Sequence, residues 1–311
     1  MTDLVAMATD LAQSWGRLSD PLRLVVNREN AVFEAQFDDG RHGALRLHRE
    51  GYQTADYILS ELRWTERLAR AGFRCPTPLR TYDERLIVQQ VGAPIASLIG
   101  WIDAAQIGAM GEGLEESPRT YREVGALIGA LHKTTDDIDL TGISRPAWSV
   151  ETLLSDTPAW GCFWDNPSLS VGERDVLEIA RTQARAALEE IDAPDIGLIH
   201  ADLLQENILR DDDGLWIIDF DDAGVGYRLY DLGTALIQHI EDVRYVEISE
   251  ALAEGYEMTR GVSVSSNDLE LFTLLRGLAS CGWVISRVPK DDLRQRVYAE
   301  RALCLAKRFL A

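Results

Sequence analysis

The stretch that decides the fold is LIHADLLQEN at residues 198–207, followed by IIDFD at residues 217–221. Short apolar segments at residues 208–209 and 216–218 flank the polar turn DDDG at residues 211–214. Apolar runs on either side of a turn-forming cluster that contains glycine predict two short strands joined by a hairpin. Polar side chains precede the first strand and end the second, so we expect them to approach one another.

Three of the oxygen-bearing side chains in these stretches are the candidates for chemistry: Asp202, Asn207 and Asp219. Phosphoryl transfer from a nucleotide needs one carboxylate near the acceptor hydroxyl, and further oxygen ligands for the Mg²⁺ ions that screen the phosphates. Two carboxylates and an amide at these spacings supply that set. The spacing is that of a kinase catalytic loop followed by a metal-binding loop.

At these residues the sequence resembles the aminoglycoside phosphotransferase and choline kinase family. It matches H-x-D-x-x-x-x-N at residues 200–207, I-D-F at residues 218–220 and YDLG at residues 230–233. The resemblance extends over residues 20–290. It implies an α+β, two-lobed protein-kinase-like fold, with an N-terminal antiparallel sheet carrying one helix and a mostly helical C-terminal lobe. ATP or GTP would bind between the lobes and donate a phosphate to a hydroxyl.

The resemblance also implies a role for each motif residue. Asp202 is expected to be the catalytic base or the residue that orients the acceptor, and Asn207 and Asp219 the Mg²⁺ ligands. Asp221 is expected to assist the metal shell. Two other motif residues are structural in such families, one tying down the catalytic loop and one bracing its backbone: Asp231 and His200.

Local patterns outline the two lobes. In the first, helices are predicted at residues 3–16 and 54–71, and strands at residues 22–26, 31–37, 44–47, 79–82 and 86–90. The linker is predicted at residues 89–94, which divides the chain into an N-terminal nucleotide-binding lobe (1–91) and a C-terminal catalytic and substrate-binding lobe (92–311). The main helices of the second lobe are predicted at residues 118–134, 172–191, 229–241, 243–260, 267–286 and 290–309.

Glu61 is the candidate carboxylate on the helix of the first lobe. No basic residue lies three or four positions away on that helix, so its partner is expected from outside. The alternative is that Glu61 lies on the solvated surface of the helix. Arg46 lies between apolar neighbours on the third strand, where the family pattern usually has lysine. Its planar guanidinium can pair with a carboxylate and contact phosphate, although it is not interchangeable with lysine. A cation at the strand edge that reaches into water is the alternative.

The turn between the first two strands, at residues 27–31, contains no glycine, so backbone clamping of phosphates is expected to be weak. Asn30 is the candidate side chain for this purpose, followed by Arg28. Family members often have Glu-Asn here, as in Glu29-Asn30. The hinge residues expected to meet the nucleobase through their backbone are Gln89, Gln90 and Val91.

The sequence says less about the molecule that accepts the phosphate. An aromatic segment could cap an acceptor pocket for an amine or could simply be buried: Trp148, Trp160, Phe163 and Trp164. Later helices offer further candidates for the cleft: Glu241, Asp242, Trp283 and Arg287. Leu204 lies two residues after Asp202, where similar protein-directed kinases have lysine, and so favours a small-molecule acceptor.

Charge excludes some partners. With 31 Lys and Arg against 51 Asp and Glu, the net charge of −20 repels nucleic acid and anionic lipid and attracts cationic small molecules. The four cysteines form no C-x-x-C pair, and the sequence shows neither a secretory signal nor a membrane segment, so a cytoplasmic protein with reduced thiols is expected.

Three functions therefore compete. The first is an ATP- or GTP-dependent kinase for the hydroxyl of a small metabolite, such as an amino alcohol, amino acid or aminoglycoside. The second is a bacterial protein Ser/Thr kinase resembling the stress-response kinases. The third is a catalytically weak nucleotide-binding scaffold, suggested by Arg46 and the glycine-free turn. The presence of all three motif oxygens argues against the third.

Overall fold

The structure, a computed structural model, describes residues 2–28, 30–108 and 117–311. Its helices are α1 (Thr2–Ala12), α2 (Ala55–Arg70), α3 (Ser117–Asp137), α4 (Val150–Leu154), α5 (Val171–Glu189), α6 (Leu229–Leu236), α7 (Tyr245–Arg260), α8 (Ser266–Trp283) and α9 (Leu293–Phe309). Its strands are β1 (Arg23–Asn27), β2 (Asn30–Gln36), β3 (His42–His48), β4 (Pro78–Leu79), β5 (Ile87–Val88), β6 (Ala96–Gly100), β7 (Ala105–Gln106), β8 (Ala147–Trp148), β9 (Ile196–Ile199), β10 (Ile208–Asp211), β11 (Gly214–Ile217) and β12 (Gly224–Tyr227). The predicted α+β class is confirmed.

The chain forms two compact units. The first comprises Met1–Ala105, Ile138–Arg145 and Arg210–Asp221, and the second Gln106–Asp137, Pro146–Leu209 and Asp222–Ala311. The division differs from the predicted boundary at residue 91, because β6 lies beyond that residue and still pairs with β3, β4 and β5. The sequence does not predict β6, because glycine and proline at residues 92–94 indicate a linker. In the structure these residues form only a turn between two strands.

The first unit is built on an antiparallel sheet in the order β1-β2-β3-β6-β4, with β5 also paired to β6. Phe33, Leu45 and Leu98 from the sheet are fully buried together with Leu11 and Trp15 from the α1 region. The turn at residues 38–40 joins β2 to β3, and Gly40 adopts the positive φ of +85° that a tight hairpin turn needs.

Local signals fix the ends of α2, the helix that carries Glu61. Thr54 caps its N-terminus, where its side chain accepts a hydrogen bond from the backbone N–H of Tyr57. Gly72, two residues beyond the last helical residue, has φ +89°, a conformation that glycine adopts without a Cβ clash. Both ends match the sequence prediction to within one residue.

The second unit is mostly helical. A small sheet, in the order β8-β12-β9, lies beside a core to which α5, α8 and α9 contribute buried side chains. One stretch, Ser266–Ser286, is long and apolar enough to cross a membrane by length and composition, but 72% of its most apolar window is buried inside the fold. This burial is typical of a core helix.

Glycines allow α3 and α7 to approach closely. A Cβ atom at Gly255 would collide with the backbone carbonyl of Arg122, and one at Gly125 with that of Leu252. Because these neighbours are backbone atoms of packed helices, the collision cannot be relieved by turning a side chain.

We therefore expect Gly255→Ala to lower the free energy of unfolding by about 1–3 kcal/mol, the usual effect of overpacking. Gly172→Ala is the matched control: Gly172 also lies in a helix, but a Cβ there meets nothing within 4 Å. The control should be neutral or stabilising by up to about 1 kcal/mol through helix propensity. Urea unfolding of both variants tests this, and equal effects would contradict the packing argument.

Candidate functional site

The expected partner of Glu61 is Arg46. Its Nη1 lies 2.8 Å from Glu61 Oε1, and both residues are buried. Burial on its own would lower the pKa of Arg46, but the charges of Glu61 and Asp221 raise it above its usual value. The alternative of a cation reaching into water is wrong, because the guanidinium lies inside the unit.

This pair retains unused polar atoms. Within the described chain, Arg46 Nη2 and Glu61 Oε2 are buried without a hydrogen-bond partner. A buried donor without a partner costs about 1–3 kcal/mol. The free Arg46 donor therefore suits an anionic oxygen such as that of a nucleotide phosphate.

Asn30 faces Asp221. Its Nδ2 donates to Asp221 Oδ2 over 3.1 Å. The side chain that was the candidate for contacting the phosphates is therefore hydrogen-bonded to an aspartate of the predicted metal-binding loop. Its neighbour in the predicted Glu-Asn pair, Glu29, lies outside the described residues, and Arg28 is exposed. Burial, reinforced by the charge of Glu61, raises the pKa of Asp221 to about 6 against the opposing effect of Arg46.

The predicted metal-binding loop has an unusual backbone. Asp219 lies two residues after the end of β11 and adopts φ +64°, while its side chain is exposed. A left-handed non-glycine residue costs about 1–3 kcal/mol and such residues cluster at functional sites. Phe220 is buried and packs edge-on against Trp64 of α2, with ring centroids 5.3 Å apart, which holds the loop in place.

Arg145 links this loop to α2. Its Nη1 donates to the carbonyl of Tyr57 over 2.8 Å, and its Nη2 donates to the carbonyls of Phe220 and Asp221. Gln53 Nε2 also donates to the Asp221 carbonyl, over 3.1 Å. Arg145 belongs to the 138–145 segment, which is distant in sequence from α2 and from the loop. The motif spacing therefore did not predict the contacts of Arg145.

The candidate hinge residues Gln89, Gln90 and Val91 follow β5 and are exposed, and Val91 is completely so. Gln90 accepts a hydrogen bond at its carbonyl from the Ala93 N–H, over 3.2 Å, which forms the turn before β6. Their role in meeting a nucleobase stays a prediction.

In the second unit, Asp202 and Asn207 are in contact. Asn207 Nδ2 donates to the Asp202 carbonyl over 2.8 Å and to its carboxylate Oδ2 over 3.0 Å. The other carboxylate oxygen, Oδ1, accepts from Arg276 Nη2 over 2.6 Å. Each carboxylate oxygen keeps a second lone pair, so Asp202 can still accept the proton of a third group.

A buried carboxylate shapes the loop before Asp202. Asp231 accepts from the backbone N–H of His200 over 2.9 Å and of Ala201 over 2.7 Å, and lies 3.0 Å from His132 Nε2. Ala201 has φ +67°, a strained conformation that these two hydrogen bonds stabilise. His200 is fully buried and its Nδ1 accepts from the Asp202 N–H. These contacts agree with the structural roles expected for His200 and Asp231.

The loop after Asp202 rests on a buried imidazole. Gln205 Nε2 lies 2.8 Å from His239 Nε2, which also contacts the Tyr121 hydroxyl. Both neighbours can donate, so this nitrogen suits the unprotonated, neutral form. Burial, with a smaller contribution from the Arg244 charge, lowers the pKa of His239 to about 4 although the Asp242 charge opposes it.

The aromatic segment is mainly a core element. Trp148 and Phe163 are buried, and Trp160 and Trp164 are partly buried against the same cluster. The reading in which these rings bury against the lobe therefore fits the structure. Trp148 nonetheless packs on Tyr230, with ring centroids 5.1 Å apart.

The later candidates are dispersed. Asp242 pairs with Arg244 at 3.2 Å, Arg287 lies over the Trp283 ring, and Glu241 is exposed. None of these contacts, in the part of the chain that the structure describes, joins them to Asp202. Asp202 instead contacts Arg276, which was not among the predicted site residues. The only signal for Arg276 in the sequence is that it is the sole charged residue from 271 to 286.

The predicted metal ligands offer a hard-oxygen donor set, which suits Mg²⁺. Asn207 uses its amide nitrogen on Asp202, so its amide oxygen is the atom left for a metal. Asp221 Oδ1 is buried without a hydrogen-bond partner in residues 2–28, 30–108 and 117–311. Over the same residues, no group of three or more His, Cys, Asp or Glu forms a metal-binding cluster.

The model of the phosphotransferase enzyme family matches residues 22–264. The chain belongs to this family. The match spans both the Arg46–Glu61 pair and the Asp202 loop, so the resemblance inferred from the motifs is confirmed. Fold, motif positions and family now agree.

One related sequence and two solved structures show which individual kinases this chain is similar to. A homoserine kinase of Agrobacterium fabrum is 31% identical over 69% of this chain, and the match covers 63% of that kinase, so the chain spans slightly under two thirds of its length. A solved structure of a microcompartment-associated aminopropanol kinase is 28% identical, with a TM-score of 0.85 over 98% of this chain and 97% of that one. Amicoumacin kinase hAmiN, solved in complex with AMP-PNP, Ca²⁺ and Ami, shares the fold at 16% identity and a TM-score of 0.74, over 99% of this chain and 95% of that one.

Removing one member of the buried ion pair should be costly. We expect Arg46→Met to lower the free energy of unfolding by about 3–5 kcal/mol, because Glu61 is left buried without its countercharge. The double variant Arg46→Met/Glu61→Leu should regain most of that stability, since no charge of the pair remains buried. Urea unfolding checks both, and a single variant within 1 kcal/mol of wild type would show that Glu61 is not held by Arg46.

His239 should make the protein acid-sensitive. The unfolded chain takes up a proton near the ordinary pKa of about 6.5, whereas the folded chain resists it until pH about 4. Stability is therefore present above pH 6.5 and is lost as the pH falls toward 4, by up to about 3 kcal/mol. His239→Gln should flatten this slope, as measured by urea unfolding between pH 7.5 and 4.5. An unchanged slope would exclude His239 as the origin.

Proposed function

We propose that the protein transfers the γ-phosphoryl group of ATP or GTP to a hydroxyl of a small, amine-bearing metabolite. The observation that carries the proposal is the Asp202 carboxylate, oriented by Asn207 and Arg276 at the family's catalytic motif. A carboxylate fixed at both oxygens, with lone pairs to spare, is suited to receive a proton from an alcohol.

The chemical step follows from this placement. The acceptor hydroxyl gives its proton to Asp202 while its oxygen forms a bond to the γ-phosphorus. The bond between that phosphorus and the β,γ-bridging oxygen breaks, and the nucleoside diphosphate leaves. Positioning and charge stabilisation provide most of the catalysis in such a reaction.

The first unit supplies groups for the nucleotide. The free Nη2 of Arg46 is oriented by Glu61 and suits a phosphate oxygen. Gln89, Gln90 and Val91 would meet the nucleobase through their backbone, and Asn30 would act through Asp221. Asn207, Asp219 and Asp221 would hold Mg²⁺, which screens the phosphate charges when bound.

Two observations support an amine-bearing acceptor. The net charge of −20 attracts cations. Homoserine and aminopropanol, the compounds named for two relatives, each combine an amine with an aliphatic hydroxyl. The apolar Leu204 after the catalytic aspartate agrees with a small acceptor rather than a protein.

The test measures nucleoside diphosphate release from Mg-ATP and Mg-GTP with homoserine, 1-amino-2-propanol, ethanolamine, choline and an aminoglycoside. We expect release that depends on one acceptor class. Asp202→Asn preserves the shape of the side chain but removes the base, and should lower kcat by about 10²–10⁴-fold.

A melting-temperature series with nucleotide and metal checks that the Asp202→Asn variant is folded and still binds the donor. If no acceptor increases release by the wild type, or if the variant matches it, the proposal is contradicted. Phosphate transfer to the protein's own Ser or Thr side chains would instead favour a protein kinase.

A further inference from the structure

Arg301 is a half-buried cation of the second unit that has no contacting counterion among the described residues. It lies in α9, and its guanidinium stacks over the ring of Tyr298, with 5.7 Å between the central carbon and the ring centroid. In residues 2–28, 30–108 and 117–311, Arg301 makes no hydrogen bond and no ion pair. It is neither fully buried nor fully exposed, so a molecule from solution can reach its donors.

Helix packing brings Arg301 near the proposed catalytic carboxylate. A Cβ atom at Gly277 of α8 would lie 3.7 Å from the Cα of Ala302 in α9. Arg276 and Arg301 immediately precede these two residues, so both arginines leave their helices near the same helix contact. Arg276 in turn donates to Asp202 Oδ1 over 2.6 Å. Arg301 therefore belongs to the surroundings of Asp202.

The charge of Arg301 is only partly compensated. Burial acts to lower the pKa of Arg301, and the like charge of Arg276 adds to this effect. Tyr298, Glu241 and Glu206 oppose burial without outweighing it, so the pKa of Arg301 lies below its usual value. Arg276, which has a contacting carboxylate, has a raised pKa instead. A partly desolvated charge without a contacting counterion is unfavourable, so an anion that binds from outside would stabilise it.

Two carboxylates act on Arg301 from other elements. Glu206 belongs to the loop that follows Asp202, and Glu241 follows α6. The Oε2 of Glu206 accepts from Gln238 Nε2 over 2.8 Å, which leaves Oε1 for another donor. A purely cationic ligand would be repelled by the arginine and a purely anionic one by the carboxylates. A zwitterion can pair with both kinds of group.

We propose that Arg301 binds the carboxylate of the acceptor, so that the phosphorylated hydroxyl belongs to an amino acid rather than to a simple amino alcohol. This rests on the proposed function. The hydroxyl of the acceptor lies at Asp202, its carboxylate pairs with Arg301, and its ammonium group lies toward Glu206 and Glu241. A guanidinium suits this task because its parallel N–H donors match the two oxygens of a carboxylate.

The test uses pairs of acceptors that differ only in the carboxylate. The pairs are homoserine and 3-aminopropan-1-ol, serine and ethanolamine, and threonine and 1-amino-2-propanol. We expect the wild type to prefer the amino acid of at least one pair by about 10- to 100-fold in kcat/KM, because the amino alcohol lacks the group that makes charged hydrogen bonds.

Arg301→Gln should remove this preference. It should lower kcat/KM for the preferred amino acid by about 10- to 100-fold and leave kcat/KM for the matching amino alcohol within about twofold. Arg301→Lys keeps the charge but not the paired donors, and should restore part of the loss. The preferred amino acid should also raise the melting temperature of the wild type more than that of Arg301→Gln.

Arg294→Gln is the matched control. Arg294 lies in the same helix, but its side chain is 64% exposed and pairs with Asp292 at 2.8 Å. We expect this variant to keep the wild-type kcat/KM for both members of each pair.

The inference is contradicted if the wild type prefers the amino alcohol of every pair, or if Arg301→Gln lowers kcat/KM equally for both members of a pair. An active wild type with either result leaves the proposed function standing. A wild type that phosphorylates neither these compounds nor an aminoglycoside contradicts the proposed function and the inference together.

Discussion

The placement of Asp202 depends on one buried carboxylate, that of Asp231. Two successive backbone N–H groups, of His200 and Ala201, donate to it, and Ala201 is thereby kept in a left-handed conformation. Such a conformation persists only where the surroundings over-determine it. Burial acts to raise the pKa of this carboxylate, but hydrogen bonds from His132 and the His200 amide, together with the charges of these histidines, outweigh burial, so the pKa of Asp231 lies below its usual value. The direction of Asp202, the proposed catalytic side chain, is thus set by a residue about thirty positions later in the chain.

In both units, arginine side chains bind the carboxylates or backbone carbonyls of candidate site residues. In the first, Arg46 forms an ion pair with Glu61, and Arg145 donates hydrogen bonds to carbonyls of α2 and of the predicted metal-binding loop. In the second, Arg276 is paired with Asp202. An arginine can serve several acceptors at once because its donors are fixed in a plane, and it stays charged when buried. A lysine at these positions would reach fewer of the same atoms.

Three candidate site residues of the first unit keep a buried polar atom that has no hydrogen-bond partner among the described residues. These residues are Arg46, Glu61 and Asp221. Each is unfavourable for folding, and each is explained if a nucleotide, metal or acceptor supplies the missing partner. The family assignment and these atoms therefore lead to the same conclusion by separate routes.

Much of this protein could be predicted from its sequence. Most helices followed from periodicity and turn residues, because these depend on neighbours along the chain. The resemblance of the motifs to a known family implied the α+β two-lobed fold and pointed to Arg46 as the partner of Glu61. The extent of the first unit did not: a glycine- and proline-containing turn has the same local pattern whether it leads to a linker or, as here, to the central strand β6. Nor did the contacts of Arg145 and Arg276, whose partners lie 75 to 88 and 74 positions away. The sequence by itself determined which chemical groups are present and which lie in the motif loops. Only the tertiary structure decided which cations meet them, because packing brings distant helices and segments together and no local pattern encodes that meeting.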